Sequence, residues 1–170
     1  VGLGQPKEER SSELIKAINF SMDGASNDWI SRNAIRYFEL VRPTKAVVSW
    51  SYIQRRESKD KKLSDTERRL PYINSSPKED LDNLYYNMLE LEKVSINNSI
   101  NLVHIFVPGF ARVAEGKIKT GSPNTVNYIK QKVKKCVDFH HYIDYARDGH
   151  HYDILTAKKY KNEIEKLWQK

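Results

Sequence analysis

Asp148 stands three residues before His151 in the run Arg147-Asp148-Gly149-His150-His151, just ahead of a lysine-rich amphipathic stretch. A carboxylate at that spacing, on a loop feeding a helix, can hold one imidazole nitrogen and stabilise the protonated ring. The pair is the acid–base half of a serine-type nucleophilic site. His151 reads as the general base and Asp148 as its orienting partner, with His150 taking the base position if the register slips by one. The same segment also reads as a plain capping loop, with Asp148 on backbone amides.

Other residues have types suited to the rest of such a site. Gly24, in the turn Met22-Asp23-Gly24-Ala25, can take the positive φ that a tight strand-to-helix turn requires. Asn27 and Asp28 follow as pocket or helix-capping residues. Ser51, at the end of an apolar segment, can line a pocket or act as a donor. Arg55 and Glu57 can form an ion pair that positions a substrate group, since arginine binds carboxylate or phosphate through two parallel hydrogen bonds. His104 alternates within an apolar strand and reads as a satisfied sheet histidine. The adjacent pairs His140-His141 and His150-His151 lack the i, i+4 spacing of a metal-ligand face, so no metal is expected. Ser11 and Ser12 precede a helical stretch and read as caps.

The elements that must position these residues alternate along the chain. Residues 8–16 read as a helix and 17–21 as a short strand. Ser26 is a good N-cap for a helix over 27–41, with an apolar stripe at Ile30, Ala34, Tyr37, Phe38 and Val41 and with Pro43 just beyond its end. Residues 45–50, with Ala-Val-Val-Ser-Trp at their centre, predict a strand. A long polar loop spans about 54–77, with a helical turn near 64–69. Pro77 opens a helix to about residue 96. Residues 100–107 form the clearest strand, 123–137 read as a helix, 139–143 as a last short strand, and 153–168 as the closing helix. Alternation of this kind implies one domain over residues 1–170, of α/β class, with a parallel sheet covered on both faces. In such sheets ligands meet the carboxyl ends of the strands. Residues 21–26, 51–57, 108–112 and 146–151 all fall at that edge.

Three blocks together resemble a known family. Asn19-Phe20-Ser21-Met22-Asp23-Gly24-Ala25-Ser26-Asn27-Asp28 is similar to the second sequence block of SGNH (GDSL-type) hydrolases, and Asp148-Gly149-His150-His151 to their last, Asp-x-x-His block. Trp50-Ser51 with Arg55 and Glu57 resembles a Trp-Ser/Thr…Arg-x-Glu pattern found in part of that family. The resemblance implies a flavodoxin-like three-layer αβα sandwich with a mostly parallel sheet. It implies a catalytic Asp148 and His151, an oxyanion amide from Gly24, and no cofactor. The chain contains no Gly-Asp-Ser motif, so the family's first strand and its nucleophilic serine are expected upstream of Val1. The family's third-block asparagine is also replaced, with Ser51 or Tyr52 in its neighbourhood.

Composition narrows the partners. The net charge of +7 favours anionic ones. Ten tyrosines accompany it, but no RNA- or DNA-binding signature does, and specific nucleic-acid binding is not expected. No apolar run reaches a membrane span, and the polar N-terminal stretch does not read as a signal peptide. A single cysteine, Cys136, excludes an internal disulfide, and a cytoplasmic location is expected. The function that the SGNH resemblance implies is an ester hydrolase, with an acylated, for example O-acetylated, glycan as the substrate suggested by the family's range and the basic surface. The alternative is an inactive module of the same fold that binds a glycan or another protein subunit.

Overall fold

The computed structural model describes residues 14–20, 25–53, 55–57, 77–106, 133, 135–137, 143–144 and 153–170. Five elements follow one another: α1 (Asn27–Val41), β1 (Lys45–Trp50), α2 (Pro77–Asn97), β2 (Asn101–Phe106) and α3 (Ile154–Trp168). Each agrees with its sequence expectation to within a residue or two.

Local chemistry sets the helix boundaries. The Ser26 hydroxyl accepts a hydrogen bond from the Trp29 amide at 3.0 Å and caps α1, while Asp28 places a negative charge in its first turn. Arg42 ends α1 in the left-handed region, at φ 48°, and its amide returns to the Phe38 carbonyl at 3.0 Å. Pro43 then blocks further helix. Asp153 caps α3 by accepting from the Ile154 amide at 2.8 Å.

The two strands pair in parallel, in register from Lys45 opposite Asn101 to Trp50 opposite Phe106. On its other side β2 meets a second backbone segment. The His104 amide donates to the Lys135 carbonyl, and the Val137 amide to the His104 carbonyl, both at 2.9 Å. β2 is therefore an interior strand, and all of its residues after Asn101 are buried. β1 instead exposes Lys45 and Ser49.

Side chains alternate across a strand, so the sheet carries two apolar faces. Val48, Trp50, Leu102 and Phe106 pack with Phe38 of α1 and with Leu84, Met88 and Leu91 of α2. Val103 and Ile105 pack with Val137 and with Tyr160 and Ile164 of α3. Helices thus lie against both faces of a parallel ladder, as expected for the α/β class. The described strands number two, and an isolated parallel bridge from His104 to Cys136 extends the ladder on the other side of β2.

Hydrogen bonds fix the direction of α3. Trp168, at its end, exchanges two bonds with Asn101 at the start of β2: Asn101 Nδ2 to the Trp168 carbonyl at 3.3 Å, and Trp168 Nε1 to the Asn101 carbonyl at 3.2 Å. Eight residues earlier, the Tyr160 hydroxyl donates to the carbonyl of Phe106, the last residue of β2, at 2.6 Å. α3 therefore runs antiparallel to β2, and its N-terminus lies at the carboxyl end of the strand.

Some expectations need correction. Residues 17–20 form no strand; Ile18 is exposed and Phe20 stacks on Tyr37 of α1, with ring centroids 4.1 Å apart. The helix expected over 123–137 does not extend through its last residues, because 135–137 supply the backbone partner that the second edge of β2 requires. Val41 is exposed, and Ile35 joins Ile30 and Ala34 against the core instead. The turn near 64–69 and most of the 139–143 strand lie outside the described residues.

Candidate functional site

The carboxyl edge of the sheet is organised around Asn27, the first residue of α1. Its Oδ1 accepts from the Ser51 amide at 2.9 Å and its Nδ2 donates to the Tyr52 carbonyl at 3.0 Å. Its own amide donates to the Arg55 carbonyl at 2.9 Å. One fully buried side chain thus clamps the chain as it leaves β1. Ile53 completes the anchor by dipping back into the core at 2% exposure.

Asp28 extends the clamp. One of its oxygens accepts from the Glu57 amide at 2.8 Å and the other from Asn87 Nδ2, on α2, at 3.2 Å. Ser31 also reaches α2, through the Asn87 carbonyl at 3.3 Å. The loop after β1, the start of α1 and the middle of α2 are therefore one hydrogen-bonded unit. Arginine side chains decorate it. Arg32 forks onto both oxygens of Glu57, at 2.7 and 3.0 Å, and Arg56 reaches Asp80 at 3.3 Å. Arg55 lies over the Tyr52 ring, 5.3 Å from its centroid, and donates from Nη1 to the Ser51 hydroxyl at 3.2 Å.

Four of the residues singled out from sequence, Asn27, Ser51, Arg55 and Glu57, are thus brought together. Their roles differ from the expected ones in two respects. Arg55 and Glu57 do not pair with each other: Glu57 takes Arg32, and Arg55 turns to Ser51. Both polar atoms of the Asn27 amide are engaged by loop backbone, so its side chain holds the loop rather than offering a donor to a ligand. Gly24, Asp148, His150 and His151 lie outside the described residues.

The residues that bracket the Asp148–His151 loop are described, and they meet. Asp144 accepts from the Leu155 amide at 2.7 Å, the Thr156 amide at 2.9 Å and the Thr156 hydroxyl at 2.7 Å. The Ile143 amide donates to the same hydroxyl at 3.0 Å. Burial pushes the Asp144 carboxyl up, but the Thr156 hydroxyl and the amides of Leu155, Thr156 and Asp153 outweigh it and hold the group below the usual carboxylate range. Both ends of the loop are therefore tied to the N-terminus of α3, at the carboxyl edge of the sheet.

Sequence reasoning missed Arg32, Asp144 and the Trp50–His104–Glu92 line. Arg32 gave no signal, because its partner lies 25 residues away. Asp144 is one acid among many until Thr156 proves buried. His104 matches its expectation as a satisfied sheet histidine: Trp50 Nε1 donates to its Nδ1 at 2.9 Å, and its Nε2 lies 3.2 Å from Glu92 Oε1.

Among the described residues, no group of three His, Cys, Asp or Glu side chains is arranged to hold a metal ion, and no helix is long and apolar enough to cross a membrane. No family model matches the chain, and no curated protein or solved structure matches it either.

Proposed function

We propose that the chain forms the body of an SGNH-type serine esterase, a flavodoxin-like three-layer αβα domain acting on an O-acylated glycan. His151 is the general base and Asp148 fixes its tautomer. Gly24 offers its amide to the oxyanion of the tetrahedral intermediate. The nucleophile is a serine hydroxyl. It attacks the ester carbonyl while His151 takes its proton. The alkoxide of the glycan leaves with that proton, and water then hydrolyses the acyl-enzyme by the reverse relay.

One observation carries this reading: both tethers of the Asp148–His151 loop sit at the α3 N-terminus, on the edge of the sheet where Asn27 holds Ser51. The described residues on either side of Asp148–His151, and those that follow Gly24, thus start from a common rim. The test is hydrolysis of p-nitrophenyl acetate by the complete protein, with labelling by a serine-directed fluorophosphonate. Turnover and labelling, both lost in His151→Ala, are expected. An inert wild-type protein would overturn the proposal.

A second reading, a binding module of the same fold, is favoured by the tightly satisfied 51–57 loop, which presents the Arg55 guanidinium whether or not a nucleophile is near. Binding of acetylated glycan with neither turnover nor labelling is the outcome that selects it.

A further inference from the structure

Three arginines crowd the loop after β1, and two of them meet carboxylates. Arg32 has Glu57 and Arg56 has Asp80. Arg55 meets no carboxylate among the described residues. Its backbone is nonetheless fixed at both ends, with its amide on the Tyr52 carbonyl at 3.0 Å and its carbonyl on the Asn27 amide at 2.9 Å. Tyr52 backs the guanidinium 5.3 Å below, and the buried Ser51 hydroxyl accepts from Nη1 at 3.2 Å.

A guanidinium carries five N–H donors, and Ser51 engages one nitrogen. The group is partly exposed, stacked and pre-oriented, so little side-chain entropy is lost when it binds. A planar fork of this kind matches the two oxygens of a carboxylate. The net charge of +7 draws polyanions towards it.

We propose that Arg55, with Ser51 and Tyr52 as its supports, binds a carboxylate of the substrate, so that the ligand of this edge is an acidic glycan rather than a neutral one. The assignment of a glycan ester rests on the hydrolase proposal; the anion site itself rests on the geometry around Arg55.

The experiment is calorimetric titration of the complete protein with O-acetylated oligogalacturonate and with a neutral acetylated xylo-oligosaccharide of equal length, and acetate release is read from the same samples. Wild type is expected to favour the acidic ligand by about tenfold or more, as a charge-assisted bidentate contact allows. Arg55→Gln should abolish the preference, and Arg55→Lys should keep only part of it. Lys93→Gln, an exposed charge near the far end of α2, should leave it unchanged. If Arg55→Gln does not fold, Tyr52→Leu replaces it and should weaken the preference severalfold. A preference that survives Arg55→Gln, or that falls equally in Lys93→Gln, overturns the site. A preference without acetate release contradicts the hydrolase proposal and leaves the anion site standing. Acetate release with no preference does the reverse.

Discussion

The indole Nε1 of Trp50 donates a 2.9 Å hydrogen bond to Nδ1 of His104, and neither side chain has any exposure. An indole N–H can only donate, so Nδ1 must accept and the ring proton sits on Nε2. Nε2 then donates to Glu92 Oε1 at 3.2 Å. The contact is that of a neutral imidazole with a carboxylate, and it stitches β1, β2 and α2 into one line beneath the site.

Trp50→Phe removes that donor and strands Nδ1 in the core. A buried acceptor without its partner costs about 1–3 kcal/mol, and the smaller ring adds a packing loss. Urea denaturation should show a lower midpoint with an unchanged slope. In wild type, the ring nitrogen shifts of His104 should report a proton on Nε2 and an unprotonated Nδ1. A protonated Nδ1 would contradict the assignment.

Asn27→Ala should be more damaging than an ordinary change at a helix start. It deprives the Ser51 amide and the Tyr52 carbonyl of their partners together. The expected loss is about 2–4 kcal/mol. Asn27→Asp keeps the acceptor for Ser51 but sets an oxygen against the Tyr52 carbonyl. It should fall between wild type and Ala in chemical denaturation. A cost under about 0.5 kcal/mol for Asn27→Ala would show that the clamp contributes nothing.

Asp144 gives the fold a pH signature. Its carboxyl is held below its ordinary value in the native state, because hydrogen bonds to the ionised form outweigh the opposing effect of burial. A carboxylate lowered on folding stabilises the native state above its unfolded pKa, and that contribution disappears as the pH falls through the native value. Asp144→Asn should therefore be less stable than wild type at neutral pH, by about 1 kcal/mol on the scale of a lost helix cap. The gap between the two proteins should close as the pH drops below about 4. Thermal unfolding across that range checks it; a gap that is constant with pH would assign the loss to packing.

How far the sequence reveals this structure depends on whether the determining interaction is local. α1 was readable to the residue because Ser26, Asp28 and Pro43 act within a turn of the ends they set. The apolar runs at β1 and β2 marked both strands for the same reason. Residues 135–137 were read as helix because the lysines around Cys136 suit an amphipathic helix equally well, and only β2, some 30 positions earlier, decides the matter. The strand expected over 17–21 is not formed in its described residues, 17–20, where Ile18 faces outward and Phe20 stacks on Tyr37 of α1. At the site, the residue types at Asn27, Ser51, Arg55 and Glu57 were visible but their pairing was not. Arg55 and Glu57 look like partners in sequence until Arg32 is placed opposite Glu57.

The acid–base pair is tested most directly by acetate release from an O-acetylated glycan with the complete protein and its Asp148→Asn and His151→Ala variants. Loss of the base or of its orienting carboxylate from a serine-type triad costs on the order of 10⁴-fold in turnover. Both variants should fall by about that factor while unfolding at the wild-type temperature, and glycan binding should persist. Turnover that is unaffected by His151→Ala, or absent from the wild-type protein, would contradict the hydrolase proposal.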